Sequence, residues 1–148
     1  MKLASDLPAG FTYSVFRRGI LPDWEDVGNR EGGRWMARFS KKERKEMLEN
    51  RWLEVLYMLL GEEVEEGGGK VVVGAEACVR KKSDRLEVWV GDAGSTEGVV
   101  KTGKMLKNKL RVEDKIGFSP QGGEGGSRWG EVHVVRSLPH FGRHLRYC

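Results

Sequence analysis

Apolar and polar residues alternate in the segment 34–39, which follows a pair of glycines. One side of this segment is apolar and the other carries arginines: Trp35, Ala37 and Phe39 lie opposite Arg34 and Arg38. Because successive side chains of a strand point to opposite faces of the sheet, this alternation predicts a half-buried strand. The preceding residues 7–33 contain seven Gly and Pro residues, and we predict that they are irregular.

A helical period begins after Ser40. Ser40 and Glu43 form the Ser-x-x-Glu pattern of a capping box, which predicts a helix over residues 41–60 that Gly61 closes. The stripe that faces the core has helical spacing and comprises Leu48, Trp52, Val55, Leu56 and Leu59. A second, narrower stripe comprises Leu53, Tyr57 and Leu60. It fits either a neighbouring helix, which is the simpler interpretation, or a partner protein.

Two further strands are predicted over residues 71–80 and 85–90, on either side of a short polar turn. If four residues form the hairpin loop, the opposite pairs are Arg80 with Arg85, Cys78 with Glu87, and Glu76 with Trp89. The other face of the hairpin is apolar and carries Ala75, Ala77, Val79, Leu86, Val88 and Val90. The pattern therefore predicts one face for helices and one face that carries two arginines and a tryptophan.

The remaining segments complete an α+β pattern. A second helix is predicted over Thr96–Leu110, with a buried side of Val99, Leu106 and Leu110 and a close approach at Gly103. Strands over residues 115–119 and 131–135 follow. Strands with interspersed helices and no βαβ rhythm are typical of an α+β domain in which helices cover one face of an antiparallel sheet. We predict such a domain over residues 1–135 and a flexible basic tail over residues 136–148.

Length, charge and cysteine content narrow the class of protein. The chain has 148 residues, the usual size of one domain, and 39% of them are hydrophobic. Lys and Arg number 26 against 22 for Asp and Glu, and the net charge of +4 permits an anionic partner without demonstrating one. Two cysteines, Cys78 and Cys148, do not form a disulfide framework and indicate a reducing compartment. Since no apolar run has signal-peptide or bilayer-spanning length, we expect a soluble intracellular protein.

Several motifs keep a common order and spacing between residues 5 and 118. The first is Tyr-Ser-Val-Phe-Arg-Arg-Gly-Ile-Leu-Pro-Asp-Trp-Glu-Asp at residues 13–26, and Asn-Arg-Glu-Gly-Gly-Arg-Trp follows at residues 29–35. Further matches lie at residues 52–56, 60–62, 74–89 and 103–110. Together these motifs resemble the eukaryotic translation initiation factor 4E family, the mRNA cap-binding proteins.

The resemblance implies a fold and a function. The implied fold is a strongly curved antiparallel sheet with helices on its convex face, with the family's first strands and first helix missing from this sequence. The implied function is recognition of the 7-methylguanosine cap at the 5′ end of mRNA in translation initiation, without enzymatic activity. The implied location is the cytoplasm, with the nucleus as an alternative.

The resemblance also implies binding residues for the cap. Trp24 matches the tryptophan that stacks on the cationic 7-methylguanine. Glu25 matches the carboxylate that accepts hydrogen bonds from the guanine edge. Arg80 and Arg85 match the basic residues on the cap phosphates, where Arg85 replaces the family's usual lysine. Trp89 matches the tryptophan that touches the added methyl group.

The first helix is implied to bind partner proteins. Leu53, Glu54 and Tyr57 match positions where the scaffold initiation factor 4G and inhibitory 4E-binding proteins dock a short amphipathic helix. The family's second stacking tryptophan has no counterpart upstream of Trp24, and one lost stacking contact costs about 1–3 kcal/mol. We therefore expect weakened cap binding. Two alternatives stay open: a protein-interaction module that binds scaffold-type helical peptides without the cap, and a non-functional fragment.

Catalytic and metal chemistry has little support in the sequence. His140, His144 and Cys148 are spaced four apart, which on a helix would place three metal-capable groups on one face. The tail has no helical apolar pattern, so a disordered basic tail without a metal is the favoured interpretation. No Ser/His/Asp or Cys/His arrangement with supporting context is present, and we expect no catalytic residues and no cofactor.

Overall fold

Seven strands form one antiparallel sheet in the described part of the chain. The computed structural model describes residues 3–61, 72–112, 116–121, 132–134 and 141–147. The strands are β1 (Phe11–Arg17), β2 (Gly33–Ser40), β3 (Val72–Val79), β4 (Ser83–Val90), β5 (Gly117–Pro120), β6 (Val132–Val134) and β7 (Phe141–Tyr147). Their order across the sheet is β5-β2-β4-β3-β1-β7-β6, and each neighbouring pair is antiparallel.

Helices cover one face of this sheet. They are α1 (Glu49–Leu60) and α2 (Thr96–Leu110), and a 3-10 turn at Ala4–Asp6 lies beside them. The core between helices and sheet includes Val15, Ala37, Ala75, Leu86 and Val88 from the strands and Trp52, Val55 and Leu106 from the helices. The predicted α+β architecture with helices on one face of an antiparallel sheet is therefore confirmed.

Strand β1 lies inside the segment that we predict to be irregular, and that prediction is wrong for Phe11–Arg17. The five central residues of β1 are buried. Tyr13 and Val15 belong to the core under the helices, whereas Phe16 packs on the opposite face, on which Ser14 is polar. Residues 11–15 alternate between apolar side chains (Phe11, Tyr13 and Val15) and polar ones (Thr12 and Ser14), so a strand pattern is present in the sequence. The prediction gives more weight to the Gly and Pro residues that surround this short segment.

The helix predicted over residues 41–60 consists of three pieces. A 3-10 turn (Lys41–Glu43) and a π-helical turn (Arg44–Leu48) precede α1, which ends at Leu60. The predicted cap at Ser40 is confirmed, since its hydroxyl accepts a hydrogen bond from the Lys42 N–H at 3.3 Å. In the π-helical turn, Arg44 donates two hydrogen bonds of 2.7 Å to the Asp84 carboxylate. This contact ties the start of the helix to the sheet.

Helix packing follows the predicted stripes. Leu48, Trp52, Val55 and Leu59 are buried, and Leu56 is partly buried. Met58 is also buried, although the predicted stripe does not include it. In α2, the buried residues include the predicted Val99, Leu106 and Leu110. A Cβ on Gly103 would overlap the ring of Trp35, which confirms the predicted close approach.

The register of the β3–β4 hairpin differs from the prediction by two residues. The observed pairs are Cys78 with Arg85, Glu76 with Glu87, and Gly74 with Trp89. Arg80 follows the last residue of β3 and does not lie opposite Arg85. Because an even shift leaves every side chain on the same face of the sheet, the predicted division into two faces still holds.

Asp84 is the physical reason for this register. The prediction places it in the loop, but Asp84 pairs with Val79 in the ladder and is 1% exposed. Its carboxylate accepts the two hydrogen bonds from Arg44 and one from the Arg80 N–H at 3.4 Å. Burial of this carboxylate is possible because it is paired with a cation, and a pattern of polar residues does not reveal that pairing.

The C-terminal strands also modify the prediction. β5 and β6 lie close to the predicted segments 115–119 and 131–135. Residues 136–148 are predicted without regular structure, whereas Phe141–Tyr147 forms β7 and pairs with all seven residues of β1. His144 is therefore on a strand, which excludes the helical metal arrangement. His140 and Cys148 lie outside the described residues, and the division at residue 135 stays a prediction.

Within the described ranges, no helix combines the length and the apolar character needed to cross a bilayer.

Candidate functional site

The face of the sheet opposite the helices carries three rows of side chains, and we call it the arginine face. The ladder register aligns these rows across β1, β3, β4 and β2. The rows are Phe16–Gly74–Trp89–Arg34, then Ser14–Glu76–Glu87–Met36, then Thr12–Cys78–Arg85–Arg38. Neighbouring rows are two residues apart along each strand, or about 7 Å. The first row lies at the end of the sheet where β1 leads into residues 18–32.

Residues 18–32 form a loop that is held by side-chain contacts. Asp26 accepts hydrogen bonds from the N–H groups of Leu21 at 3.0 Å and Gly28 at 2.8 Å. The fully buried Asn29 donates from Nδ2 to the carbonyl oxygens of Leu21 at 2.8 Å and Asp23 at 2.7 Å. These contacts close the loop on itself, so the residues between Asp23 and Asp26 have a defined position.

Trp24 and Glu25 lie at the exposed tip of this loop. The Trp24 side chain is 40% exposed, and Glu25 is also exposed. The Glu25 N–H donates to Asp23 Oδ1 at 3.0 Å, and the Glu25 carbonyl accepts from Arg30 Nε at 3.1 Å. The backbone of Glu25 is thus fixed, while an indole face and a carboxylate are accessible to a ligand.

Trp89 lies in the first row but is covered, with 1% exposure. It packs edge-on against Phe16, with ring centroids 5.3 Å apart and an interplanar angle of 74°. Val73 and Ile20 complete this small cluster. The Arg34 guanidinium lies 5.7 Å from the centre of the Trp89 ring. The cluster connects the loop that carries Trp24 to the sheet through Ile20.

Arg85 shares a buried counter-ion with Arg34. Arg85 Nε lies 3.4 Å from Glu87 Oε1, and Arg34 NH1 lies 3.3 Å from Glu87 Oε2. The Glu87 side chain has no exposed surface, whereas the side chains of Arg34 and Arg85 are 17% and 23% exposed. Burial lowers the pKa of Arg85, but Glu87, Cys78 and Glu76 raise it, with a net rise above the ordinary value. Arg85 is therefore a permanent cation.

Arg80 lies beside the start of β1. Its NH1 donates to the carbonyl oxygens of Phe11 at 3.1 Å and Val79 at 3.0 Å, and its NH2 donates to Thr12 Oγ1 at 3.2 Å. Thr12 belongs to the third row, so the guanidinium of Arg80 lies at the end of the arginine face away from Trp89. These contacts fix its position.

Two carboxylates and a thiol are buried in the centre of the arginine face. The carboxylate and thiol atoms of Glu76, Cys78 and Glu87 lie within 4.8 Å of one another, which is close enough for all three to bind one metal ion. Their chemistry does not favour a cation, since Glu87 already pairs with two arginines. Burial, followed by the charges of Glu87 and Glu76, raises the pKa of the Cys78 thiol far above its ordinary value. The thiol is therefore protonated and a poor ligand.

A second accessible feature lies on α1. Leu53, Tyr57 and Leu60 are 37%, 66% and 55% exposed. Their interpretation as a contact with a neighbouring helix is therefore wrong. Glu54 is exposed beside them and lines a cleft of about 490 Å³ between α1 and the C-terminal end of α2. The other interpretation of this stripe, a surface that binds a partner protein, remains.

Comparison with known proteins identifies the family. A sequence model described as eukaryotic initiation factor 4E matches residues 1–127. The chain belongs to this family. It is similar to eukaryotic translation initiation factor 4E of Aplysia californica, with 43% identity over 113 residues, or 76% of this chain and 52% of that protein. For the human factor the identity is 37% over 116 residues, or 78% of this chain and 53% of that protein.

Solved structures of the initiation factor 4E family confirm the fold. The complex of Ascaris suum eIF4E-3 with m2,2,7G cap has a TM-score of 0.77 and 33% identity, and the match covers 86% of this chain and 72% of that one. The complex of Caenorhabditis elegans eIF4E-3 with the 4E-binding protein Mextli has a TM-score of 0.76 and 34% identity, covering 82% and 70%. The predicted curved antiparallel sheet with helices on the convex face is thus confirmed. The chain spans about half the length of the curated relatives that it matches.

The structure places the family-implied cap residues on two connected parts of this initiation factor 4E fold, the arginine face and the loop at residues 18–32. Trp89 and Arg85 are on the arginine face, Arg80 is at its far end, and Trp24 and Glu25 are in the loop that leaves the near end. Sequence reasoning missed Phe16 and Arg34 as neighbours of these residues, and it placed Glu87 on the same face without its ion pairs to Arg34 and Arg85. The signal for Arg34 was present, because it lies on the polar side of the strand predicted over residues 34–39.

Proposed function

We propose that this chain recognises the 7-methylguanosine cap of mRNA in translation initiation, without catalysing a reaction. The observation that supports this best is the order of groups from the loop at residues 18–32 to the far end of the arginine face. An exposed tryptophan and carboxylate precede a tryptophan row, which precedes arginines. A cap presents a cationic base, then a ribose and then phosphates, so the two orders are complementary. The Ascaris suum relatives in solved structures contain an m7G or m2,2,7G cap.

The loop tip supplies the groups for the base. A cation is attracted to the face of an aromatic ring, and tryptophan is the strongest such partner. We assign stacking on the methylated base to Trp24 and acceptance of the guanine N–H donors to Glu25. A carboxylate only accepts hydrogen bonds, so it favours guanine over adenine on that edge. The guanine edge also has an acceptor, which needs a backbone N–H donor. Since the Glu25 backbone N–H already donates to Asp23, the Trp24 backbone N–H is the better candidate for this contact.

The arginine face supplies the groups for the rest of the cap. We assign contact with the phosphates to Arg85 and Arg80. We assign contact with the methyl group to Trp89, which is 1% exposed, so this contact requires the cluster of Phe16, Ile20 and Trp89 to open when the cap binds. A guanidinium offers several N–H donors in one plane and suits phosphate oxygens.

A tryptophan fluorescence titration with 7-methyl-GTP tests this function. We expect saturable quenching by 7-methyl-GTP and much weaker quenching by GTP, because only the methylated base is cationic. Glu25→Ala should abolish the response. Glu31→Ala is the matched control, since Glu31 is an exposed glutamate of the same loop and should leave the response intact.

The absence of quenching would contradict the proposal in one of two ways. A chain that melts cooperatively but does not respond would favour the interaction module without cap binding. A chain that does not melt cooperatively would favour the non-functional fragment.

We also propose that α1 binds a scaffold or inhibitory protein through a short amphipathic helix. The exposed apolar residues Leu53 and Tyr57 beside the exposed Glu54 support this assignment. Relatives have been solved with the 4E-binding protein Mextli and with 4E-BP. Such a partner would place cap recognition under translational regulation. The proposed location is accordingly the cytoplasm, with the nucleus as an alternative.

Alanine variants test the partner surface. Leu53→Ala and Tyr57→Ala should each lower the affinity for a scaffold-type helical peptide by about five- to thirtyfold. Losses of this size are usual when a buried anchor residue of an interface is truncated. Isothermal titration calorimetry measures the affinities. Val100→Ala on α2 is the control, because Val100 is 43% exposed and lies outside the proposed surface. Peptide affinities that remain unchanged in both α1 variants would refute the assignment.

A further inference from the structure

The arginine face contains a charge arrangement that the assigned cap contacts do not use. One carboxylate, Glu87, lies within ion-pair distance of both Arg34 and Arg85, at 3.3 and 3.4 Å. The three side chains together carry a net charge of +1, although two arginines are present. The register places Glu87 between the row of Arg34 and the row of Arg85, so neither arginine can move away without losing this contact.

We propose that Glu87 sets the phosphate affinity of the arginine face by neutralising half of its central positive charge. This inference rests on the proposed function and deepens it. Glu87 is a positioning and charge-balancing residue, which acts on phosphates through Arg34 and Arg85. As a result, the affinity for a ligand rises less with each added phosphate than it would if both arginines had no carboxylate partner.

The burial of the three side chains supports this role. The Glu87 side chain is fully buried, while the side chains of Arg34 and Arg85 are 17% and 23% exposed. A phosphate can therefore reach the exposed part of each guanidinium, whereas the buried carboxylate is not accessible to it. The negative charge remains about one row away from a bound phosphate. At about 7 Å and an effective dielectric constant between those of protein and water, one charge changes the affinity for the nearest phosphate charge by about three- to sevenfold, and the more distant phosphates of a chain add to this.

The neighbouring carboxylate provides a matched comparison. Glu76 faces Glu87 across the β3–β4 ladder and is equally buried. It accepts a hydrogen bond of 2.6 Å from Ser14 Oγ, on the side of β1. Its charge acts on Arg85 less strongly than that of Glu87. Substitution of Glu76 therefore tests whether any buried carboxylate of this face has the same effect.

Affinity for inorganic tripolyphosphate tests the inference without the base. Glu87→Gln keeps the shape and removes the charge, so the net charge of the three residues rises from +1 to +2. We expect tripolyphosphate to bind about five- to tenfold more tightly at low salt, with a steeper loss of affinity as salt is added. Glu76→Gln should produce a smaller change. 7-Methyl-GTP carries a triphosphate that 7-methylguanosine lacks. The affinity for 7-methyl-GTP divided by the affinity for 7-methylguanosine should therefore rise by a similar factor in Glu87→Gln.

A second pair of variants covers the case in which Glu87→Gln does not fold. Arg34→Gln reduces the net charge to zero, and Arg34→Gln with Glu87→Gln restores +1 without a bridging carboxylate. The double variant should bind tripolyphosphate about five- to tenfold more tightly than Arg34→Gln. Circular dichroism melting establishes that the variants compared are folded.

The outcomes separate this inference from the proposed function. Equal tripolyphosphate affinity with and without the Glu87 charge, including undetectable binding in both, would overturn the inference. If the Glu87 variants respond as expected while 7-methyl-GTP binds no better than GTP, the phosphate inference stands and cap recognition fails. The reverse result, selective cap binding with an unchanged phosphate ratio, leaves the proposed function intact and refutes the role of Glu87.

Discussion

At the scale of residues, the arginine face combines a charged surface with a neutral thiol beneath it. Cys78 lies between Thr12 and Arg85 in the third row and is fully buried. Burial is the main cause that raises the pKa of this thiol above its ordinary value of 9.0, and the charges of Glu87 and Glu76 add to the rise. The folded protein therefore holds the proton of Cys78 at pH values at which the unfolded chain loses it.

The consequence is a dependence of stability on alkaline pH. Below the unfolded pKa, both states bind the proton and the contribution to stability is complete. Above pH 9 the unfolded thiol ionises while the folded thiol does not, so the free energy of unfolding falls by up to about 1.4 kcal/mol per pH unit. Urea unfolding between pH 8 and 10.5 measures this slope. Cys78→Ala should show a shallower slope, and identical slopes in the two proteins would contradict the burial of a protonated thiol.

Residue patterns in the sequence were sufficient for the two faces of the sheet but not for the contacts within them. The alternation of Ala, Val and Leu with polar residues predicts which side chains of β3 and β4 face the helices. It does not show that Glu87 bridges Arg34 and Arg85, because Arg34 comes from a strand that is distant in sequence. Trp89 illustrates the same limit, since its position in the arginine face is predicted but its burial against Phe16 depends on β1.

At the scale of elements, the β3–β4 turn and the start of the first helical segment are joined by Asp84. Its carboxylate accepts two hydrogen bonds from Arg44 and one from the backbone of Arg80. Arg80 in turn contacts Phe11 and Thr12 at the start of β1. One buried ion pair thus connects the hairpin, the helical segment and the edge of the arginine face.

Asp84→Asn should therefore destabilise the fold and disturb the position of Arg80. Breaking a buried ion pair by removing one charge costs about 3–5 kcal/mol, because the remaining cation is left without a partner. Urea unfolding measures the loss. Asp92→Asn is the control, since Asp92 is exposed and accepts a hydrogen bond from the Gly94 N–H, and its substitution should change stability by about 0.5 kcal/mol at most. A similar small change in Asp84→Asn would show that this ion pair does not hold the turn.

The elements themselves were predictable to different degrees. Helical periodicity gives α2 with its bounds and the buried stripe of α1, because one apolar face repeats every three to four residues. The predicted hairpin register differs from the observed one by two residues. An aspartate next to a turn is usually a loop residue, and the sequence does not show that Arg44 pairs with Asp84 inside the strand. β1 and β7 were not predicted. Residues 11–15 do alternate between apolar and polar side chains, but this short segment lies among Gly and Pro residues, and β7 lies in a segment rich in arginine and histidine.

At the scale of the whole molecule, the C-terminal segment extends the sheet beyond the part that matches the family. The family model matches residues 1–127, whereas β7 pairs with β1 over seven residues and β6 pairs with β7. β1 is also the strand whose start holds Arg80 and whose end leads to Trp24. An unpaired edge at β1 would expose a row of backbone N–H and C=O groups, which promotes association with other chains.

Deletion of residues 132–148 should therefore loosen β1 and promote self-association. The backbone amides of β1 that donate to β7 lose their acceptors, while β4, between β2 and β3, keeps both neighbours. Hydrogen exchange followed by mass spectrometry should show faster exchange in a peptide covering Phe11–Arg17 and unchanged exchange in one covering Ser83–Val90. Light scattering at increasing concentration measures the association that an open edge favours. If β1 remains as protected in the shortened chain as in the complete one, and the chain stays monomeric, the pairing with β7 does not close this edge. The positions of Arg80 and Trp24 then depend on β3 and on the loop contacts of Asp26 and Asn29 alone.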